Sequence, residues 1–222
     1  MITVAAVGDI HGRVDKLRSA ISWLRRSNRH VVFLGDYINR GPDSFATLQL
    51  LIEFNQYCQN GVTFLRGNHE ASLLRLLDGG DNSSFLRHGG LTTVRSYTQD
   101  RSVGVLKRFV GSFPQDHHNF LTETTLYYED SDWLLSHAGF DPAHPERRDE
   151  LTMVGGDRAS TLFGMLDVRH VLHKQVVFGH YVQMSGRPYV RGGINCIDTG
   201  CGTLPTGKLT VLLLPELVYE QF

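Results

Sequence analysis

Gly35-Asp36-Tyr37-Ile38-Asn39-Arg40-Gly41 follows directly on the apolar run Val31-Val32-Phe33-Leu34, and this junction decides how the rest of the chain is read. The run is short and made of branched and aromatic side chains, the pattern of a buried strand. A carboxylate just past the strand end, with glycines on both sides that let backbone approach closely, suits a metal ion shared by several segments. Two other stretches have the same strand-then-glycine form: Val7-Gly8-Asp9-Ile10-His11-Gly12 and Phe64-Leu65-Arg66-Gly67-Asn68-His69-Glu70.

Working outward, Ile2 to Val7 reads as a first strand. Val14 to Ser27 follows as a helix, because Leu17, Ala20, Ile21 and Leu24 recur with helical period. Strand, helix, strand implies a right-handed crossover between parallel strands, which sets Asp9, His11 and Asp36 side by side at the strand ends. Pro42 suits the first turn of a helix running through Leu48, Leu51 and Ile52 toward Tyr57. Gly61 closes that helix, Val62 to Leu65 is a third strand, and Glu70 to Leu77 is a further helix stopped by Asp78-Gly79-Gly80-Asp81-Asn82. The unit strand, polar loop, helix therefore repeats.

Ser83 to about Thr122 reads as a helical insertion or cap. Thr124 to Tyr128 and Trp133 to Ser136 are expected strands, the second ending at His137-Ala138-Gly139. Asp141 to Gly156 is expected to be a loop, Ala159 to Leu166 a helix, and Gln175 to Phe178 a strand ending at Gly179-His180. Gly193 to Ile197, Lys208 to Leu214 and Leu217 to Tyr219 form an antiparallel closing set. The class is α/β, expected as one domain over residues 1–222.

A formal net charge of -1, from 22 basic and 23 acidic residues, excludes a global pull toward nucleic acid polymers or acidic membranes. The first residues read as a strand rather than a signal peptide, and no apolar run reaches membrane-spanning length. A cytoplasmic location is expected. Cys58, Cys196 and Cys201 lack metal-type spacing and read as structural thiols in a reducing compartment. His117-His118 reads as a solvated helix start, and His144 and His170 as surface residues.

Five expected strands end in Asp, Asn or His: Asp9 with His11, Asp36, Asn68, His137 and His180. A single such residue is more often a cap or turn partner. Six together are too many for one site, and imidazole with carboxylate is the donor set of a borderline divalent ion.

With these motifs, and with Ile197-Asp198-Thr199-Gly200 near the end, the chain resembles the phosphoprotein-phosphatase-type (calcineurin-like) metallophosphatases of the compact bacterial or phage kind. The resemblance implies a four-layer αββα sandwich with two mixed sheets. It implies two divalent ions, manganese first, with iron, zinc, cobalt or magnesium as alternatives. One would be held by Asp9, His11 and Asp36, the other by Asp36, Asn68, His137 and His180, with Asp36 as the bridge. The nucleophile would be a hydroxide between the ions. Arg40 and Arg66 would clamp phosphate oxygens; a third arginine falls on Arg158, with Arg147 or Arg148 as alternatives. His69 would be the general acid.

In that family an aspartate normally pairs with the acid, at the position where this chain has Asn39. An amide can keep a hydrogen bond through its oxygen but brings no charge to favour imidazolium. Three explanations compete: a substrate with a good leaving group, an introduced aspartate-to-asparagine replacement, or compensation by another carboxylate. The activities implied are hydrolysis of phosphoprotein or small phosphate monoesters, with aryl favoured over alkyl, or of a dinucleotide polyphosphate by a symmetrical diadenosine tetraphosphate hydrolase. A weakly active phospho-ligand binding module is the third reading.

Overall fold

A computed structural model describes residues 3–100, 102–156 and 158–222. The expected strand start at Ile2, and Asp157 beside Arg158, lie outside the described residues. Along the chain run β1 (Val4–Val7), α1 (Val14–Leu24), β2 (His30–Phe33), α2 (Ser44–Tyr57), β3 (Val62–Phe64) and α3 (Asn68–Leu77). Four helices follow: α4 (Ser83–Arg87), α5 (Gly90–Thr98), α6 (Val105–Gly111) and α7 (Gln115–Glu123). Then come β4 (Tyr127–Glu129), β5 (Trp133–Ser136), α8 (Glu150–Val154), α9 (Ala159–Gly164), α10 (Arg169–Leu172) and β6 (Gln175–Phe178). The last strands are β7 (Tyr189–Arg191), β8 (Ile194–Cys196), β9 (Thr210–Leu214) and β10 (Val218–Gln221).

Two mixed sheets form, ordered β10-β9-β1-β2-β3 and β4-β5-β6-β8-β7. The expected crossover makes β1, β2 and β3 mutually parallel, and β9 and β10 close that sheet antiparallel. β8, expected in the same antiparallel closing set, instead lies parallel beside β6 and β5 in the second sheet, because the β7–β8 hairpin returns the chain along β6. Side-chain alternation makes four layers. Val4, Ala6, Val32 and Leu34 of the first sheet meet Trp133, Leu135 and Val177 of the second in one apolar cluster between the sheets. Ala5, Val7, Val31 and Phe33 face the other way, onto α1, α2 and α3. Leu134, Val176 and Phe178 likewise face outward, onto Met153, Leu162 and Val168. The implied αββα sandwich is present.

The local differences have local causes. Pro42 precedes the helix it was expected to begin, since Asp43 is the N-cap and its carboxylate accepts the Ala46 N–H at 2.9 Å. The expected loop from Asp141 contains α8, capped by Asp149, and β7 and α10 are too short to leave a period in the sequence. His117 is buried, not solvated, with Nδ1 2.6 Å from the Tyr97 hydroxyl; α5 and α7 pack it against a half-buried tyrosine whose hydroxyl needs a polar partner.

One contact positions the central loop. The buried Glu70 carboxylate accepts backbone N–H groups from Asp36 (2.7 Å), Gly67 (3.0 Å), Tyr37 (2.9 Å) and Ile38 (3.3 Å). Asp36 Oδ1 in return accepts the His69 N–H at 3.2 Å. Gly67 sits where these strands converge, and a Cβ there would strike the Asp36 carboxylate and backbone nitrogen. An amide at position 70 turns an NH₂ toward N–H donors. Glu70→Gln is therefore expected to lower unfolding free energy by about 2–4 kcal/mol, against less than about 0.5 kcal/mol for exposed Glu53→Gln, as read by urea titration.

Candidate metal centre

The ends of the parallel strands from both sheets meet at one place. His137, just past β5, donates from Nδ1 to the Leu34 carbonyl at 3.0 Å, and His11, past β1, donates from Nδ1 to the Ile38 carbonyl at 2.9 Å. Each ring thus keeps its proton on Nδ1 and turns the Nε2 lone pair toward the centre. His137 Nε2 lies 3.0 Å from Asn68 Oδ1, 3.2 Å from His180 Nδ1 and 3.4 Å from Asp36 Oδ1. Asn68 Oδ1 is also 3.0 Å from His180 Nδ1. A divalent ion with bonds of about 2.0–2.1 Å sets adjacent ligands roughly 3.0–3.4 Å apart, so this group has the spacing and donor set of an ion site.

The other carboxylate oxygen, Asp36 Oδ2, is 3.7 Å from His11 Nε2 and 3.6 Å from His69 Nε2. Asp36 therefore offers one oxygen to each of two groups, His11–Asp36–His69 and Asp36–His137–His180, whose ligand atoms lie within 4.8 Å of one another. Asp9 is buried on the same floor, but its carboxylate accepts the His180 N–H at 3.2 and 3.3 Å. His69, expected as an acid, rather than Asp9 completes the tighter first group. The close approach of Asp9 requires Gly179, where a Cβ would collide with its carboxylate.

The electrostatics are those of a cation site. Burial raises the Asp9 carboxyl far above its usual range, and the Asp198 and Asp36 charges raise it further. Burial likewise raises Asp36, with Glu70 adding to it, and lifts Asp198 to about 6. Burial pushes the histidines the other way: His11 falls to about 3, and His69 and His137 fall well below their ordinary value. Neutral imidazoles and crowded carboxylates are what an ion would accept.

The backbone is held in the left-handed region at His11, Asp36, Asn39, Arg40 and His180, with φ from 49° to 70°. Such conformations cost of order 1–3 kcal/mol each and persist only where surrounding contacts dictate them.

Of the arginines, Arg40 is in the centre, its Nη1 2.9 Å from His11 Nε2 and 2.8 Å from Thr203 Oγ1. Arg66 points away: its guanidinium donates to the Thr122 and Thr124 carbonyls, both at 3.1 Å, and to Thr124 Oγ1 at 3.0 Å. Arg158 donates to the carbonyls of Gly155 (2.7 Å), Thr152 (3.1 Å) and Leu151 (3.2 Å). Both satisfy carbonyls that a helix C-terminus leaves without partners. Arg148 pairs with Glu129 at 3.0 Å. His69 and Asn39 do meet, Asn39 Nδ2 lying 2.8 Å from His69 Nδ1.

Three residues with no role in the sequence reading belong to the centre. Glu70 carries the loop. Asp198 follows β8, the strand that runs parallel beside β6, and its buried Oδ2 has no hydrogen-bond partner among the described residues. The same end-of-strand rule that selected His180 could have found it. Thr93, on cap helix α5, bonds Asn39; nothing local in the sequence announces that contact.

Residues 2–184 match the calcineurin-like phosphoesterase family. The bis(5'-nucleosyl)-tetraphosphatase PrpE [asymmetrical] of Oceanobacillus iheyensis is 26% identical, over 95% of this chain and 88% of that protein. Serine/threonine-protein phosphatase 2 of Escherichia coli is 33% identical, over 46% of each chain. The cold-active protein-tyrosine phosphatase of a psychrophilic Shewanella species superimposes with a TM-score of 0.64 at 17% identity, covering 100% of this chain and 80% of that one.

Two outcomes are expected. Asp36→Asn removes the shared carboxylate and should abolish binding of both ions in equilibrium dialysis; two ions retained per chain would contradict a bridge. Protons compete with metal at the buried carboxylates of the folded protein, whose pKa is raised well above the usual range for Asp9 and Asp36 and to about 6 for Asp198. The rise in Tm on adding manganese should therefore be larger at pH 8 than at pH 5.5, and an equal rise at both would count against the assignment.

Proposed function

This chain belongs to the calcineurin-like phosphoesterase family, and we propose that it hydrolyses phosphoanhydrides, with a dinucleotide polyphosphate as the substrate class. The observation that carries this reading is the Asn39 amide against His69 Nδ1 at 2.8 Å. Among the described residues no carboxylate meets that nitrogen, and burial, with His11 and Arg40 close by, holds the ring well below its ordinary pKa.

When bound, a pair of divalent ions would supply Lewis acidity and a water of lowered pKa. Asp9, His11 and Asp36 would hold one, and Asp36, Asn68, His137 and His180 the other, leaving His69 free of the ions. Arg40, anchored on Thr203, stands where its remaining N–H groups can meet phosphoryl oxygens. Arg66 and Arg158 are engaged elsewhere, so Arg40 carries the clamp. Attack makes a new P–O bond to water and breaks the bond to the leaving oxygen, which departs with its electron pair.

A leaving group of low pKa tolerates a neutral His69. A nucleotide phosphate qualifies best, a phenolate with conjugate-acid pKa of about 10 less well, and a serine alkoxide worst. The full-length relative acting on dinucleoside tetraphosphates supports this order. The phosphoprotein reading draws on a relative matched over less than half of each chain, and within it the same argument favours phosphotyrosine. The intact ligand cluster supports an active enzyme over a phospho-ligand binding module.

With manganese supplied, kcat/KM should fall in the order diadenosine tetraphosphate, nitrophenyl phosphate, phosphoserine peptide; a peptide turned over faster than the dinucleotide overturns the proposal. The products, two ADP or AMP with ATP, identify the anhydride cut. Asn39→Asp should raise alkyl phosphate hydrolysis by about tenfold or more and nitrophenyl phosphate hydrolysis by less than about threefold. Equal gains would show that leaving-group protonation is not what Asn39 alters.

A further inference from the structure

The contacts around Asn39 extend into a closed chain of polar groups. Asn39 Oδ1 is 2.7 Å from Thr93 Oγ1, and Thr93 Oγ1 is 2.9 Å from Ser44 Oγ. The Asn39 backbone N–H reaches both hydroxyls, at 3.0 Å to Thr93 and 3.1 Å to Ser44. Asn39, Ser44, Thr93 and His69 are all fully buried. Ser44 opens α2, and Thr93 comes from the cap.

The observed placement of the amide, with Nδ2 toward His69 and Oδ1 toward Thr93, is also the one that satisfies the two hydroxyl protons. If the amide presents Nδ2 to His69, Ser44 donates to Thr93, Thr93 donates to Asn39 Oδ1, and Asn39 Nδ2 donates to His69 Nδ1; every hydroxyl proton has an acceptor. If the amide is reversed, Nδ2 donates to Thr93, Thr93 donates to Ser44, and the buried Ser44 proton has no acceptor among the described residues. The first arrangement makes His69 Nδ1 an acceptor and leaves the ring proton on Nε2. His69 Nε2 is itself buried with no hydrogen-bond partner among the described residues, facing Asp36 Oδ2 at 3.6 Å.

From this geometry we infer that Thr93 and Ser44 are positioning residues which orient the Asn39 amide and so hold His69 as a neutral Nε2–H donor aimed into the site. The inference rests on the phosphoesterase reading for its use of His69 beside the substrate. In this state the ring lends a hydrogen bond to developing negative charge on oxygen. It does not surrender its proton, because loss of the Nε2 proton with Nδ1 unprotonated would leave an imidazolate. The leaving oxygen then departs as the anion and takes a proton from solvent. The cap helix thereby takes part in setting the proton arrangement through Thr93, beyond shaping access.

The test is the ¹⁵N spectrum of His69 in metal-free, substrate-free protein at pH 7.5, assigned by difference from His69→Asn. The wild type should show protonated Nε2 and unprotonated Nδ1. Thr93→Val, which keeps the shape and removes the hydroxyl, should give mixed tautomers and lower kcat by about tenfold with KM little changed; Thr93→Ser should restore both. A wild-type Nδ1–H signal overturns the proposal outright, as does a Thr93→Val spectrum identical to wild type. Because this measurement involves no substrate, its failure is separate from failure of the anhydride reading, which the substrate panel decides.

Discussion

The site depends on one buried carboxylate that is engaged by backbone N–H groups. Glu70, on the first turn of α3, takes four backbone N–H groups from the Asp36 loop and its own N-cap. Burial raises its pKa while these donors oppose the rise. That contact holds the backbone at Asp36 in a left-handed conformation that a free loop would leave. With the loop fixed, the two oxygens of Asp36 face opposite ways, one toward His137 and one toward His11 and His69. A helix in one strand-loop-helix unit thus locks the ligand of the preceding unit.

Around this anchor, charge and tautomer are prepared before any ion arrives. Backbone carbonyls at Leu34 and Ile38 hold protons on the outer nitrogens of His137 and His11, a second tier of contacts that orients metal-binding imidazoles. Asp9, Asp36 and Asp198 are buried together, and their mutual repulsion is of the kind that a cation relieves. Stability and metal affinity are therefore linked through the same residues.

The proton side of the site is arranged by different means. Asn39 meets His69 with an amide whose orientation follows from two hydroxyls, one of them on a helix remote in sequence. Arg40 alone among Arg40, Arg66 and Arg158 faces the ligands, since the other two satisfy helix-end carbonyls. The candidate ligand cluster and the hydroxyl network around Asn39 thus meet at His69.

The sequence by itself determined the layered α/β architecture and the residues gathered at its edge. Strand period is local, the crossover rule fixes which strand ends lie together, and a polar residue after each buried strand marks that edge; Asp36, Asn68, His137 and His180 were legible for this reason. Tertiary structure decided what those residues touch. Arg66 and Arg158 look like clamps in sequence, yet they turn to carbonyls because helix ends formed by other segments need donors. His117 reads as a solvated helix start until Tyr97 is packed against it. Thr93 and Ser44 are ordinary hydroxyls in sequence, 49 positions apart. Whether Asn39 presents its oxygen or its nitrogen to His69 is fixed only when α2 and the cap bring them together, because hydrogen-bond direction is a property of the whole buried network and not of the residue that carries it.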